Sequence, residues 1–230
     1  MNLTAEALVE RLHTLRSDAE KTKIRKHVAA PDTEIIGVRM KSTFDTAREF
    51  TSMPLSEVER LLDSSFYEAR VAAVSVLDFR ARDKHLSDDE RRTLYELYLR
   101  RHDRIDNWDL VDRAAPRVIG AYLLDKPRDV LYELADSHDP LERRTAITAT
   151  FWLVRQGEIE DALRVSEILL EDPTELVTKP VGVALREVGK VDEDRLVAFL
   201  RRHQGRVPRV TLRSAVEKLP EELRRDLMRR

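Results

Sequence analysis

The chain has 230 residues, with 41 basic against 43 acidic side chains, 37% charged, 42% hydrophobic, 6 Gly, 9 Pro and no Cys. A net charge of -2 and a sequence pI near 6.3 exclude a uniformly basic coat, so any polyanion site must be a local patch. The lack of cysteine excludes a disulfide framework, a thiolate metal site and a cysteine nucleophile. No apolar run approaches the roughly 18 residues that span a bilayer, and the polar start Met1-Asn2-Leu3-Thr4-Ala5-Glu6 lacks the plan of a signal peptide, so a cytoplasmic, soluble protein without membrane association is expected.

Abundant Leu, Ala, Glu and Arg with few glycines predict helix almost throughout, because these side chains lose little rotamer freedom in a helix. Met53-Pro54-Leu55-Ser56-Glu57 reads as a helix start, followed by a second helix that presents Val71, Val74 and Leu77 on one face. Leu86-Ser87-Asp88-Asp89-Glu90 carries the pattern of a capping box. Asp106 or Asn107 caps a helix beginning near Trp108. Further along, Ala146, Ala149 and Leu153 share a helical face, as do Leu196, Phe199 and Leu200. Val191-Asp192-Glu193-Asp194 and Leu219-Pro220-Glu221-Glu222 start the last helices.

A unit repeats along this series: a short helix, a turn marked by Asp or Pro, then a second helix opening with a basic residue and small apolar residues. Tyr67-Glu68-Ala69-Arg70-Val71-Ala72-Ala73-Val74 matches Leu141-Glu142-Arg143-Arg144-Thr145-Ala146-Ile147-Thr148, and segments near Lys179 and Arg209 continue it, with the Trp108 helix between. A period of about 35 residues in helix pairs without strands predicts an all-α fold, a single-domain curved α-solenoid of HEAT-like repeats over residues 1–230 with a concave groove. An irregular helical bundle is the rival architecture.

The six histidines (His13, His27, His85, His102, His138, His203) form no ligand pair, so no metal site is expected. The glycines are isolated, which leaves no phosphate cradle, and no hydrolase nucleophile motif is present. The informative cluster is Asp103-Arg104-Ile105-Asp106-Asn107-Trp108-Asp109-Leu110-Val111-Asp112. Acids three residues apart do not stay on one face, which argues against a cation loop. Trp108 and Asp112, however, stand at i and i+4, an aromatic plane and a carboxylate able to address one object. The plain alternative makes Trp108 core and pairs Asp112 with Arg113 or Arg144. Basic residues recur at equivalent repeat points as Arg70, Arg143 and Arg144, Lys179 and Arg186, then Arg209 and Arg213, a stripe suited to a phosphate backbone. Their alternative is pairing with Glu68, Glu142 and Glu187.

Five blocks taken in order, Ile36-Gly37-Val38-Arg39, Asn107-Trp108-Asp109-Leu110-Val111-Asp112, Glu142-Arg143-Arg144-Thr145-Ala146-Ile147, Lys179-Pro180-Val181-Gly182-Val183-Ala184-Leu185-Arg186-Glu187 and Leu212-Arg213-Ser214-Ala215-Val216-Glu217-Lys218-Leu219, resemble the AlkD-type family of bacterial DNA alkylation repair glycosylases. The resemblance covers nearly the whole chain. It implies HEAT-like repeats that hold duplex DNA, and release of cationic N3- and N7-alkylated purines by a monomer needing no cofactor. It further implies that Asp112 is the catalytic carboxylate, that Trp108 walls the cleft, and that Arg144 approaches the backbone near the lesion. Arg143, Lys179, Arg186 and Arg213 complete the expected DNA contacts, in a cytoplasmic protein associated with the nucleoid. Members of the family act without flipping the base into a pocket. In one respect the chain departs from the pattern: Val183 stands where a second tryptophan is usual. The other tryptophan, Trp152, reads as core within Phe151-Trp152-Leu153. A non-catalytic helical-repeat protein that binds DNA or a protein is the alternative that Val183 motivates and Asp112 opposes.

Overall fold

The computed structural model describes residues 2–26, 28 and 33–229, so His27 lies outside the described residues. Fourteen α-helices, with short 3-10 turns at His102–Arg104 and Tyr122–Asp125 and a π turn at Pro116–Gly120, account for the regular structure among them, and the one pairing of extended chain is an isolated bridge between Glu34 and Phe66. The all-α prediction is met. Contacts gather the chain into two compact units, Met1–Val118 and Ile119–Arg230.

The first unit contains α1 (Ala5–His13), α2 (Asp18–Arg25), α3 (Met40–Glu49), α4 (Leu55–Leu62), α5 (Tyr67–Ala81), α6 (Asp88–Arg100) and α7 (Trp108–Ala115). At its centre lies α5, packed on α3, α4 and α7 and buried on all sides through most of its length. The predicted face of Val71, Val74 and Leu77 is 2% exposed or less, each side chain contributing roughly 1.5–3 kcal/mol by burial. Ser87 and Glu90 form the reciprocal capping box at the start of α6. Before α3, the Ile36-Gly37-Val38 backbone is held by Glu68, whose buried carboxylate accepts from all three amides at 3.0, 2.8 and 3.1 Å. Gly37 sits at φ +97°, and a Cβ there would lie 2.5 Å from the Ser17 carbonyl oxygen, so the turn requires glycine.

The second unit contains α8 (Asp129–Ala135), α9 (Pro140–Arg155), α10 (Glu160–Ile168), α11 (Glu175–Val191), α12 (Glu193–Arg202), α13 (Arg209–Ala215) and α14 (Glu221–Met228). Helix pairs follow one another as the repeat predicts: α9 packs on α11 and α11 on α13, with α8, α10 and α12 alongside. Each start carries its own chemistry. Asp139 caps α9 with Pro140 at the first helical position, Thr174 caps α11, and Asp192 caps α12. Gly182 allows close packing of α13 on α11, since a Cβ would stand 2.8 Å from the Thr211 carbonyl oxygen. Thr211 also donates to the Thr178 carbonyl at 2.9 Å across the same contact.

Candidate functional site

Asn107 occupies the N-cap of α7 in extended conformation, although its side chain makes no capping bond. Leu110, Val111 and Ala114 turn inward, which leaves Trp108 and Asp112 on the outward side, one turn apart. Trp108 is 42% exposed and Asp112 is exposed, so Trp108 is not core. Arg113, one of the two partners considered for Asp112, instead reaches Asp78 at 2.9 Å.

Trp108 forms part of the lining of a cavity of about 500 Å³ together with Ile24, Met40, Phe44, Tyr67, Val71 and Asp109. The Tyr67 hydroxyl donates to Asp109 and ties the first turn of α7 to the first turn of α5. Burial pushes the Asp109 carboxyl above its ordinary value, with the Tyr67 bond opposing and the Asp112 charge adding to the rise. Burial, and then the Asp109 charge, push the Tyr67 phenol upward as well, so it stays protonated and keeps donating.

The residues of the expected basic stripe divide into distinct roles, and some are paired within the protein, as the alternative to a phosphate-tracking row held. Arg70 is 3% exposed; it donates to the Ser64 carbonyl at 2.7 Å and forks onto Asp106 at 3.0 and 3.2 Å. Arg143 repeats this arrangement in the second unit, donating to the Ser137 carbonyl at 2.8 Å and forking onto Asp172 at 2.6 and 3.4 Å. Both are clamps that fasten a helix start to a neighbouring acid, a use that sequence spacing does not distinguish from a solvated face. Arg144 is 8% exposed, and its guanidinium donates to the Leu176 carbonyl. Pro180, four residues on, has no amide hydrogen to offer that carbonyl, so the arginine satisfies an acceptor that proline leaves open.

The other cations of the stripe lie further along. Lys179 is exposed beside Glu175 at 2.8 Å, and Arg186 pairs with Glu217 at 2.6 Å and Glu187 at 3.4 Å. Arg209 donates to the Met228 carbonyl, while Arg213 is exposed and makes no hydrogen bond or ion pair among the described residues. Val183 is half-buried on α11, one turn before Arg186. Trp152 is also half-buried, at the edge of the core rather than within it.

Sequence reasoning passed over Asp78. This carboxylate is 1% exposed near the end of α5 and has Arg82 at 2.7 Å, Arg113 at 2.9 Å and Arg117 at 3.9 Å. Its one signal in the sequence is an acid closing the run from Val71 to Leu77, which is apolar but for Ser75.

Paired helices stacked in sequence, with an indole and a carboxylate displayed on one helix and basic groups on others, define the class: an all-α helical-repeat protein. The DNA alkylation repair enzyme family model matches residues 8–219, and the chain belongs to that family. Among solved structures it is similar to "Predicted DNA alkylation repair enzyme from Enterococcus faecalis", with a TM-score of 0.71 and 13% identity over 90% of this chain and 97% of that one, a likeness of fold. No curated protein matches it. No helix among the described residues is long and apolar enough to cross a membrane.

Proposed function

We propose that this chain is a DNA glycosylase of the AlkD type, which hydrolyses the N-glycosidic bond of cationic alkylated purines such as 3-methyladenine and 7-methylguanine in duplex DNA. The observation that carries this reading is the exposed pair Trp108 and Asp112 at the start of α7, in a member of the DNA alkylation repair enzyme family.

Alkylation at N3 or N7 makes the base a cation and a good leaving group. The bond from C1′ to nitrogen breaks, its electron pair leaves with the base, and the base becomes neutral. The Asp112 carboxylate stabilises the oxocarbenium-like sugar and orients the water that adds to C1′, whose proton passes to the carboxylate or to solvent. The Trp108 face attracts the same positive charge, worth about 0.5–2 kcal/mol. Lys179, Arg186 and Arg213 supply charge toward the backbone, whereas Arg143 is held by Asp172 as a clamp and Arg144 is buried against the Leu176 carbonyl. The reading needs no cofactor or metal, and it describes a monomer working in the cytoplasm on nucleoid DNA.

The test is release of 7-methylguanine and 3-methyladenine from duplex DNA by wild type and by Asp112→Asn. Release by wild type with loss of at least about a hundredfold in the variant is expected, the scale on which a principal electrostatic group acts. Equal release by the two proteins would sink the role of Asp112. No release by wild type, with duplex binding retained, would favour the non-catalytic reading that Val183 motivates.

A further inference from the structure

Residues of α2, α3, α5 and α7 line the cavity of about 500 Å³ in the first unit whose wall includes Trp108. That volume falls in the range of small-ligand sites, roughly 300–1,000 Å³. Met40, Phe44, Tyr67, Val71 and Trp108 give it apolar, flat-sided walls, with Arg113 covering one side of Phe44 at 4.3 Å. Its charged lining is acidic, with Glu20, Glu68 and Asp109 against Lys23 among the described residues.

Two of these acids are spent within the protein. Glu20 pairs with Lys23 at 2.8 Å and Arg39 at 3.4 Å, and both oxygens of Glu68 accept backbone amides. Asp109 differs. Its Oδ2 accepts from the Tyr67 hydroxyl, while Oδ1 is buried and makes no hydrogen bond among the described residues. A buried acceptor without a donor is costly, and a native fold keeps one where something outside the protein uses it. The occupant that these walls fit is a flat group with an N–H for Oδ1 and a positive charge for the carboxylate and for the faces of Trp108 and Tyr67. A cation there would favour the ionised form of Asp109 that burial opposes. An N-alkylated purine has the planar ring, the N–H and the charge, whereas an unmodified purine lacks the charge.

We propose that this cavity holds the cationic alkylated purine itself, with Asp109 Oδ1 accepting from the base and Trp108 and Tyr67 presenting ring faces to it. Tyr67 is also a positioning residue, since its hydroxyl occupies Oδ2 and leaves Oδ1 for the ligand. The choice of ligand rests on the glycosylase reading above. The pocket itself departs from the resemblance, which implies attack on the base without one. Trp108 belongs both to the cavity wall and to the outward pair with Asp112, so base recognition and bond cleavage share one indole.

The test is calorimetric titration of the full chain with 7-methylguanosine in its cationic form and with guanosine, its neutral counterpart. Wild type is expected to bind the cation at least about tenfold more tightly than guanosine, the difference that the charge supplies. Asp109→Asn keeps an acceptor for Tyr67 but removes the carboxylate charge, and should weaken 7-methylguanosine about tenfold and erase most of the preference. Met40→Trp, at a cavity-lining residue that is 38% exposed, should obstruct entry and weaken both nucleosides without altering Asp109. Neither variant should melt below wild type, which controls for folding. No binding of 7-methylguanosine, equal affinities for the two nucleosides, or a preference that survives Asp109→Asn would overturn the proposal. Full excision of 7-methylguanine from duplex DNA by both variants would overturn it too, while leaving the glycosylase standing. Conversely, Asp109-dependent binding of 7-methylguanosine by a protein that excises nothing keeps the pocket and removes the glycosylase.

Discussion

The two units use the same arginine clamp with the burial reversed. In the first, Arg70 is the buried member at 3% side-chain exposure and Asp106 is 37% exposed; in the second, Asp172 is buried at 3% and Arg143 is 14% exposed. A charge left alone in a dry position costs far more than one that water can reach. The same pair of residue types therefore has opposite points of vulnerability in the two halves of the chain.

The largest effect is expected at Asp78, where removal leaves Arg113 and its neighbours crowded with no buried counter-charge. Asp78→Ala should destabilise the protein by about 3–5 kcal/mol in denaturant titration. A loss under 1 kcal/mol would show that solvent, not Asp78, neutralises that end of the first unit.

The clamps give a crossed pattern. Asp106→Ala strands the buried Arg70 and should cost more than Arg70→Met, which strands an acid that water can reach. In the second unit the order reverses: Arg143→Met strands the buried Asp172 and should cost more than Asp172→Ala. The larger member of each pair is expected at about 2–4 kcal/mol and the smaller at about half that, reduced by hydration of the exposed partner. The same order in both units would remove burial as the deciding factor.

The smallest effect distinguishes the units by pH. In the first, the Asp109 carboxyl is raised by burial, so the folded state holds its proton more tightly than the unfolded chain, and the stability this gives is lost as pH rises through the folded value. In the second, the His203 imidazole, 3% exposed, is lowered by burial, with Glu167 opposing. Its contribution is full above the ordinary value of 6.5 and is lost as pH falls below it. Asp109→Asn should therefore raise the melting temperature at pH 7 and lose that gain in acid. His203→Gln should flatten the fall in stability below pH 6.5. If neither variant altered the pH profile, both burial arguments would fail.

Local signals were legible wherever neighbours in sequence settle the matter. The Ser87 capping box, the Asp192 cap and the faces of Val71, Ala146 and Leu196 needed only helical periodicity and the hydrogen-bonding needs of a helix end. The outward pair Trp108 and Asp112 was readable from its spacing, although only the structure showed which side of α7 faces the core. The roles of the arginines were not legible. Arg70, Arg143 and Arg144 look like solvated charges in sequence, yet their partners Asp106, Asp172 and the Leu176 carbonyl lie a repeat away.

The sequence by itself determined the helices, their order, the repeat and the family blocks, because a helix is closed by hydrogen bonds four residues apart and its buried face repeats every three or four. Tertiary structure alone decided which charges are spent inside the protein and which are offered outward. Asp78 meets arginines carried by α5 and α7, with Arg48 of α3 on the adjoining Phe79 ring. A charge has no direction in sequence, and whether it meets an acid, a freed carbonyl or solvent depends on elements far along the chain.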